Sequence, residues 1–430
     1  MKRLCFLLVT FSIVAAFAYA GGKKEVPAAR PDAPGAIKVL VTTTSSQEYR
    51  DMVAERYERE TGVEVEFELL PFSAFIEAVE VQLSAGASDF DVFNVDVPLV
   101  ASYASRGLLL PLDGFFASDD TARWAPSARA AGTFEGELVA PPMRTSTQLL
   151  YFNRAVFDRA GVEPPSAEIN RRWTWEQTYD VASRVGRPDE GIWGILFGQW
   201  DRPYQLLPLP QSLGGGDGIG EDGLEVAGRL TNDAWIKAFE FLAKLYENNV
   251  APRGVEQTQD AFLGGNAAMI VQGDWLLGLL RNVDFEWGVA PHPYFAGGTA
   301  YTPTGSWHWG VSAFSERPNR AGEFVRALTV EDAYVVPLVE EGRLVPHEAL
   351  LNLTIEDALA MNLPYTPDAL NIIQYELANT ARPRPLSPAF LEWEDLLRSA
   401  IRDIVNGAPV ARTLTETERR MESMFARYRR

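Results

Sequence analysis

The side chains best suited to handling a ligand in this chain are tryptophans set beside acids. Asp274-Trp275 follows Gly273 at the end of a short apolar run, Trp200-Asp201 ends another, and Trp307-His308-Trp309 lies between glycines. Aromatic rings offer flat faces for stacking while neighbouring polar groups take hydrogen bonds, a pairing suited to non-covalent capture. Trp275 also has a plain structural reading, as a core anchor opening the helical run Leu276, Leu277, Leu279 and Leu280. Catalytic patterns are weaker. The three histidines, His292, His308 and His347, are scattered with no pair at metal-ligand spacing, and no nucleophile elbow or P-loop is present. Gly218 to Gly223 matches Gly-x-Gly-x-x-Gly, but it follows no strand and opens no helix. Acidic neighbours there would repel a pyrophosphate, so it reads as a flexible hairpin tip. No cofactor is expected. Adjacent acids such as Asp119-Asp120 and Glu340-Glu341 read as solvated surface, although two carboxylates of a glycosidase can pair in space from distant positions.

Those side chains need a scaffold, and the chain alternates its patterns accordingly. Ile37 to Val41 and Val63 to Leu69 alternate as strands, Gln47 to Glu60 and Ser73 to Ser84 as helices, and Asp91 to Val95 as a third strand. Strand, helix, strand at this spacing predicts parallel pairing in an α/β layer. Ligands in such sheets sit beyond the carboxyl ends of strands, which singles out Thr43, Thr44, Ser45, Gln47 and Asp96. The Thr-Ser cluster serves equally as a helix cap. Leu138 to Asn153 reads as two strand pieces joined by a polar segment containing Arg144, as in a chain crossing between lobes. Thr174 and Gln177 fit a capping box, and Ile192 to Trp200 reads as a strand. Thr231 or Asn232 caps a helix striped by Trp235, Phe239 and Leu242. Phe285 to Ala290 and Val311 to Phe314 read as further strands, and the pattern from Ala333 onward is mostly helical.

With 430 residues and 47% hydrophobic content the chain can bury two or three cores. Its net charge is −19, and −21 once an N-terminal leader carrying Lys2 and Arg3 is removed, which argues against nucleic-acid or anionic-membrane partners. Lys2-Arg3, the apolar run Leu4 to Phe17 and Ala18-Tyr19-Ala20 form the pattern of a cleaved secretory signal over residues 1–20. The sole cysteine, Cys5, lies inside it, so the mature protein is expected to be periplasmic, without disulfide or lipid-anchor cysteine. Residues 21–36 read as a disordered leader.

Phe262-x-x-Gly265-x-Ala267-Ala268-Met269, a short strand and then Gly273-x-Trp275 resemble the signature of family 1 extracellular solute-binding proteins, the sugar-capturing subunits of bacterial ABC importers. The order of further motifs extends the resemblance from about Ile37 to the C-terminus. Gly107 to Asp113 looks like the family's Gly-x-Leu-x-Pro-Leu turn, and Pro142 to Asn153 like its crossover. Trp173-Thr174-Trp175-Glu176, Leu213-Gly214-Gly215 and Gly305-Ser306-Trp307 are similar to its helix start, double glycine and second ligand loop.

The resemblance implies an α/β fold of two periplasmic-binding-protein-like lobes, each a mixed sheet flanked by helices, with a ligand cleft between them. One lobe would combine residues 37–145 with 290–335, the other 146–289 with 336–430. It implies a monomer that closes on a mono- or oligosaccharide and delivers it to membrane permease subunits, not an enzyme. Carried onto this sequence, Trp275 and Trp307 are the first stacking residues, with Trp200 and Trp309 next. Asp96, Thr44, Gln47, Arg144, Asp274 and Arg382 are the polar candidates. An aromatic often found after the first strand is replaced here by Thr42 to Ser46, which leaves a cationic solute such as a polyamine as an alternative, held by Asp96, Asp201 and Asp274.

Overall fold

A computed structural model describes residues 31–429, and the signal-like segment 1–20 lies outside them. Two mixed sheets organise the chain. The first runs Val65–Leu70, Ile37–Thr42, Val92–Asp96, Trp307–Val311, Pro142–Arg144 across its width. Its first three strands pair in parallel, as the strand–helix spacing predicts, with Val39 opposite Phe67 and Leu40 opposite Phe93. Trp307–Val311 returns antiparallel and sets Trp307 opposite Asp96. The second sheet runs Trp287–Pro291, Gln148–Asn153, Met269–Gly273, Leu196–Phe197, with only the last pair parallel.

Period-2 alternation sorts the strand residues onto two apolar layers. Leu40, Phe93, Leu150 and Val271 join one buried cluster, while Val39, Val92, Leu149 and Ile270 join the other. Helices cover both layers, and their caps follow local chemistry. The Ser46 hydroxyl accepts from the Tyr49 N–H to start Gln47–Thr61, and Gly62, at φ 73°, ends it. Thr174 and Gln177 form the reciprocal box that opens Trp175–Val185. Asn232, rather than Thr231, caps Asp233–Glu247. Two long helices, Phe390–Val405 and Val410–Phe425, pack on that helix and on each other.

Several expectations are corrected. Trp307 and Trp309 lie within a strand, not in a loop before one. The strand expected over Ile192 to Trp200 shrinks to Leu196–Phe197, because the residues on either side bond outside the sheet or turn. Gly214 to Gly223 forms successive turns instead of a hairpin. The Trp235 indole donates to the Gly215 carbonyl at 3.0 Å, and its ring lies so close to Gly218 that a side chain there would clash. Of the leader expected over 21–36, residues 21–30 lie outside the described residues, and 31–36 are tied down where their composition suggests disorder. The Asp32 carboxylate accepts the Asn319 and Arg320 backbone N–H groups, both at 3.0 Å, at the start of Pro318–Val330, where a helix has unpaired donors.

The chain leaves the first sheet after Arg144, crosses through Thr145 to Thr147, and enters the second at Gln148. It leaves the second sheet after Pro291 and re-enters the first at Trp307. Among the described residues no helix is long and apolar enough to cross a membrane.

Candidate functional site

The carboxyl ends of Ile37–Thr42, Val92–Asp96 and Pro142–Arg144 face those of Leu196–Phe197 and Met269–Gly273 across a cavity of about 460 Å³. This lies within the range of roughly 300–1,000 Å³ ordinary for small-molecule sites, and strand carboxyl ends are where α/β sheets hold ligands.

Seven of the ten candidate residues line it: Thr44, Asp96, Arg144, Trp200, Asp274, Trp275 and Trp307. Trp275 is half-buried, and its ring packs directly over Gly273, where an added Cβ would come within 1.9 Å of it. Gly273 therefore serves close packing, not a left-handed backbone. Across the cavity the half-buried Trp307 meets Phe72 and Phe75 edge-on, with ring centroids 6.0 and 6.2 Å away. The Arg144 guanidinium lies 5.7 Å from the Trp307 ring centre and donates to the Thr44 hydroxyl at 2.9 Å. Burial and the adjacent Arg343 pull the Arg144 pKa down to about 9, which leaves it protonated at neutral pH.

Three candidates fall elsewhere. Trp309 lies two residues further along the strand, 1% exposed within the core. Gln47, at the first position of its helix, faces a surface groove with Glu48, Asp51 and Arg56. Arg382 turns away from the cavity, pairing with Asp217 at 3.3 Å and covering the Tyr301 ring. Arg384, two residues on, takes the place expected of it. Arg384 grips Asp96 with both terminal guanidinium nitrogens, one at 2.7 Å, and Arg202 stands 3.8 Å from the same carboxylate. Arg202 is itself held by Glu394 at 2.8 Å and covers the Phe72 ring at 4.3 Å. These buried charges join the first sheet to segments packed on the second. Phe72, Arg202, Arg343 and Arg384 carry little local signal, because their partners lie far away in sequence. Tyr204, by contrast, bonded to Gln199 at 3.1 Å, stands just past the same strand end as Trp200. The local hint for Arg384 is its place two residues from Arg382 between Pro383 and Pro385, a spacing at which an extended stretch puts both side chains on one face.

Asp274 is held between its own backbone and that of Thr147: the Thr147 N–H donates to its Oδ1 at 2.9 Å, and the Asp274 N–H donates to the Thr147 carbonyl at 3.0 Å. Burial pushes its pKa up to about 7, with the backbone N–H groups of Thr147 and of Asp274 itself, Arg343 and Arg144 opposing. A carboxyl whose pKa is raised on folding favours the folded state fully below its unfolded pKa of about 4, and that contribution fades as pH rises to about 7. Asp274→Asn keeps the accepting oxygen and removes the titration. It is therefore expected to flatten the fall in melting temperature between pH 4.5 and 7.5 and to gain about 2–3 kcal/mol over the wild type at pH 8. Parallel pH profiles of the two proteins would refute this.

Two facing mixed sheets, joined by crossing segments with an aromatic and polar cavity at their strand ends, define a two-lobed binding protein. The chain belongs to the bacterial extracellular solute-binding protein family, whose model matches residues 42–335. It is 23% identical over 415 residues to the maltodextrin-binding protein MdxE of Bacillus subtilis, covering 94% of each chain. It is 26% identical over 300 residues to the maltotriose-binding protein of Pyrococcus abyssi, covering 65% of this chain and 60% of that one. In fold it matches an ABC substrate-binding protein from Listeria monocytogenes in complex with cycloalternan, at a TM-score of 0.81 and 19% identity, over 92% of this chain and 100% of the other. The Thermus thermophilus maltotriose-binding protein bound with maltotriose gives 0.74 at 20% identity, over 90% and 99%. The family and these relatives are binding proteins, and the family places the chain outside the cytoplasm.

Proposed function

We propose that this chain is the extracytoplasmic solute-binding subunit of an ABC importer and captures a mono- or oligosaccharide in the cavity between its two sheets. The observation that carries this is the placing of Trp275 and Trp307 at opposing strand ends with polar side chains between them. Pyranose rings have apolar faces to stack and a rim of hydroxyls to hydrogen-bond, which is the pattern these walls offer. The relatives named for maltotriose and maltodextrin support the same ligand class.

On this reading the lobes comprise about 37–145 with 290–335 and about 146–289 with 336–430. The boundary at 289 moves to Pro291, because the strand Trp287–Pro291 belongs wholly to the second sheet. Ligand contacts from both lobes favour a closed form, which presents both lobe tips to membrane permease subunits. The mature chain begins after Ala20, carries no lipid anchor, acts as a monomer and catalyses no reaction. A polyamine fits less well. Asp96 is occupied by Arg384, Asp201 by Arg402 at 2.6 Å, and Asp274 is buried with a raised pKa, so none of the three stands free for a cation.

The test is intrinsic tryptophan fluorescence of the mature protein titrated with mono-, di- and oligosaccharides, with spermidine and amino acids as controls. A saturable response to a carbohydrate is expected. A response to spermidine alone would overturn the ligand class.

A further inference from the structure

Four arginines line the cavity, and they differ in how their charge is met. Arg202 and Arg384 are saturated by Glu394 and Asp96. Arg144 and Arg343 are not. Both guanidiniums converge on Thr44, Arg144 on its hydroxyl at 2.9 Å and Arg343 on its carbonyl at 3.0 Å. Among the described residues neither has a carboxylate partner within ion-pair distance. The acids nearest Arg144 are committed elsewhere: Asp96 to Arg384, Glu341 to the Ser46 hydroxyl, and Asp274 to the backbone of Thr147.

Two like charges meeting in a partly desolvated cleft repel each other, and of the charges acting on Arg144 that of Arg343 is felt most strongly. Such a pair, with no carboxylate of the described residues to match it, is poised for an anion from outside the protein. Guanidinium nitrogens match the geometry of a carboxylate or phosphate, and charge-assisted bonds of this kind are about twice as strong as neutral ones. The Arg144 guanidinium lies 5.7 Å from the Trp307 ring centre, so a sugar ring packed against that indole brings a substituent within reach of the pair.

Resting on the carbohydrate reading above, we propose that the ligand is an acidic carbohydrate, with a carboxylate or phosphate group received by Arg144 and Arg343 and the ring stacked on Trp307. Neutral sugars then bind the same cavity more weakly, through the stacking and hydroxyl contacts alone.

The experiment is calorimetric titration of the mature protein with matched pairs: galactose against galacturonate, methyl-esterified against free trigalacturonate, and glucose against glucose 6-phosphate. One acidic member is expected to bind at least tenfold more tightly than its neutral partner and to lose that margin between 50 and 500 mM NaCl. The uronate and phosphate arms distinguish the two sources of charge. Arg343→Gln, checked for an unchanged melting curve, is expected to bring the acidic-to-neutral ratio close to one, and Arg343→Lys to restore part of it. Equal or tighter binding of the neutral member in every pair overturns the proposal while leaving the carbohydrate reading intact. Failure of every carbohydrate to bind overturns both.

Discussion

Arg384→Met is expected to cost about 3 kcal/mol of stability, read as a lower midpoint in urea unfolding of the mature protein. Asp96 is 3% exposed and Arg384 6%, so removing the guanidinium strands a carboxylate away from water. Arg202, at 3.8 Å from Asp96 and already engaged by Glu394, is too far and too committed to replace a bidentate partner. Asp96→Asn combined with Arg384→Met should recover much of the loss, because the penalty belongs to the unpaired charge and not to the missing contact. The pair also ties the end of one sheet to a segment beyond the other, so its loss favours an open cleft. A single Arg384→Met protein within 0.5 kcal/mol of wild type, with the double variant no more stable, would show that the pair is solvated and weak.

Trp275→Ala and Trp307→Ala are each expected to weaken carbohydrate binding tenfold to a hundredfold, the range of truncating an aromatic anchor in a partly buried site. Both rings reach the cavity from opposite sheets, so the double variant should lose saturable binding within the soluble range of a simple sugar. Trp309→Phe is the contrast. Its ring is buried in the core, so the change should lower the melting temperature through an imperfectly filled core while affinity stays within twofold. Equal loss of affinity in all three would place the effect in general destabilisation instead of stacking.

Much of this site could be read from residues alone where a local rule applied. The spacing of the first three strands gave parallel pairing, and the rule for strand carboxyl ends then led to Thr44 and Asp96. Gly273-x-Trp275 located the opposite wall. What local rules left open was which of two nearby residues turns inward. Trp307 and Trp309 share a strand, yet only the first lies at its cleft end. Arg382 and Arg384 share an extended stretch, yet Asp217 draws the first away and Asp96 draws in the second. Gln47 sits at the right height on its helix but on the outer side. Arg202 and Arg343 had no legible signal, since each is placed by partners more than a hundred residues distant.

Co-crystallisation of the mature protein with the carbohydrate that gives the tightest titration would test the central claim most directly. The predicted result is electron density for a sugar between the two sheets, one ring face on Trp275 or Trp307 and hydroxyls or an acidic group at Arg144. A sugar bound at saturation outside this cavity, with Trp275 and Trp307 untouched, would contradict it.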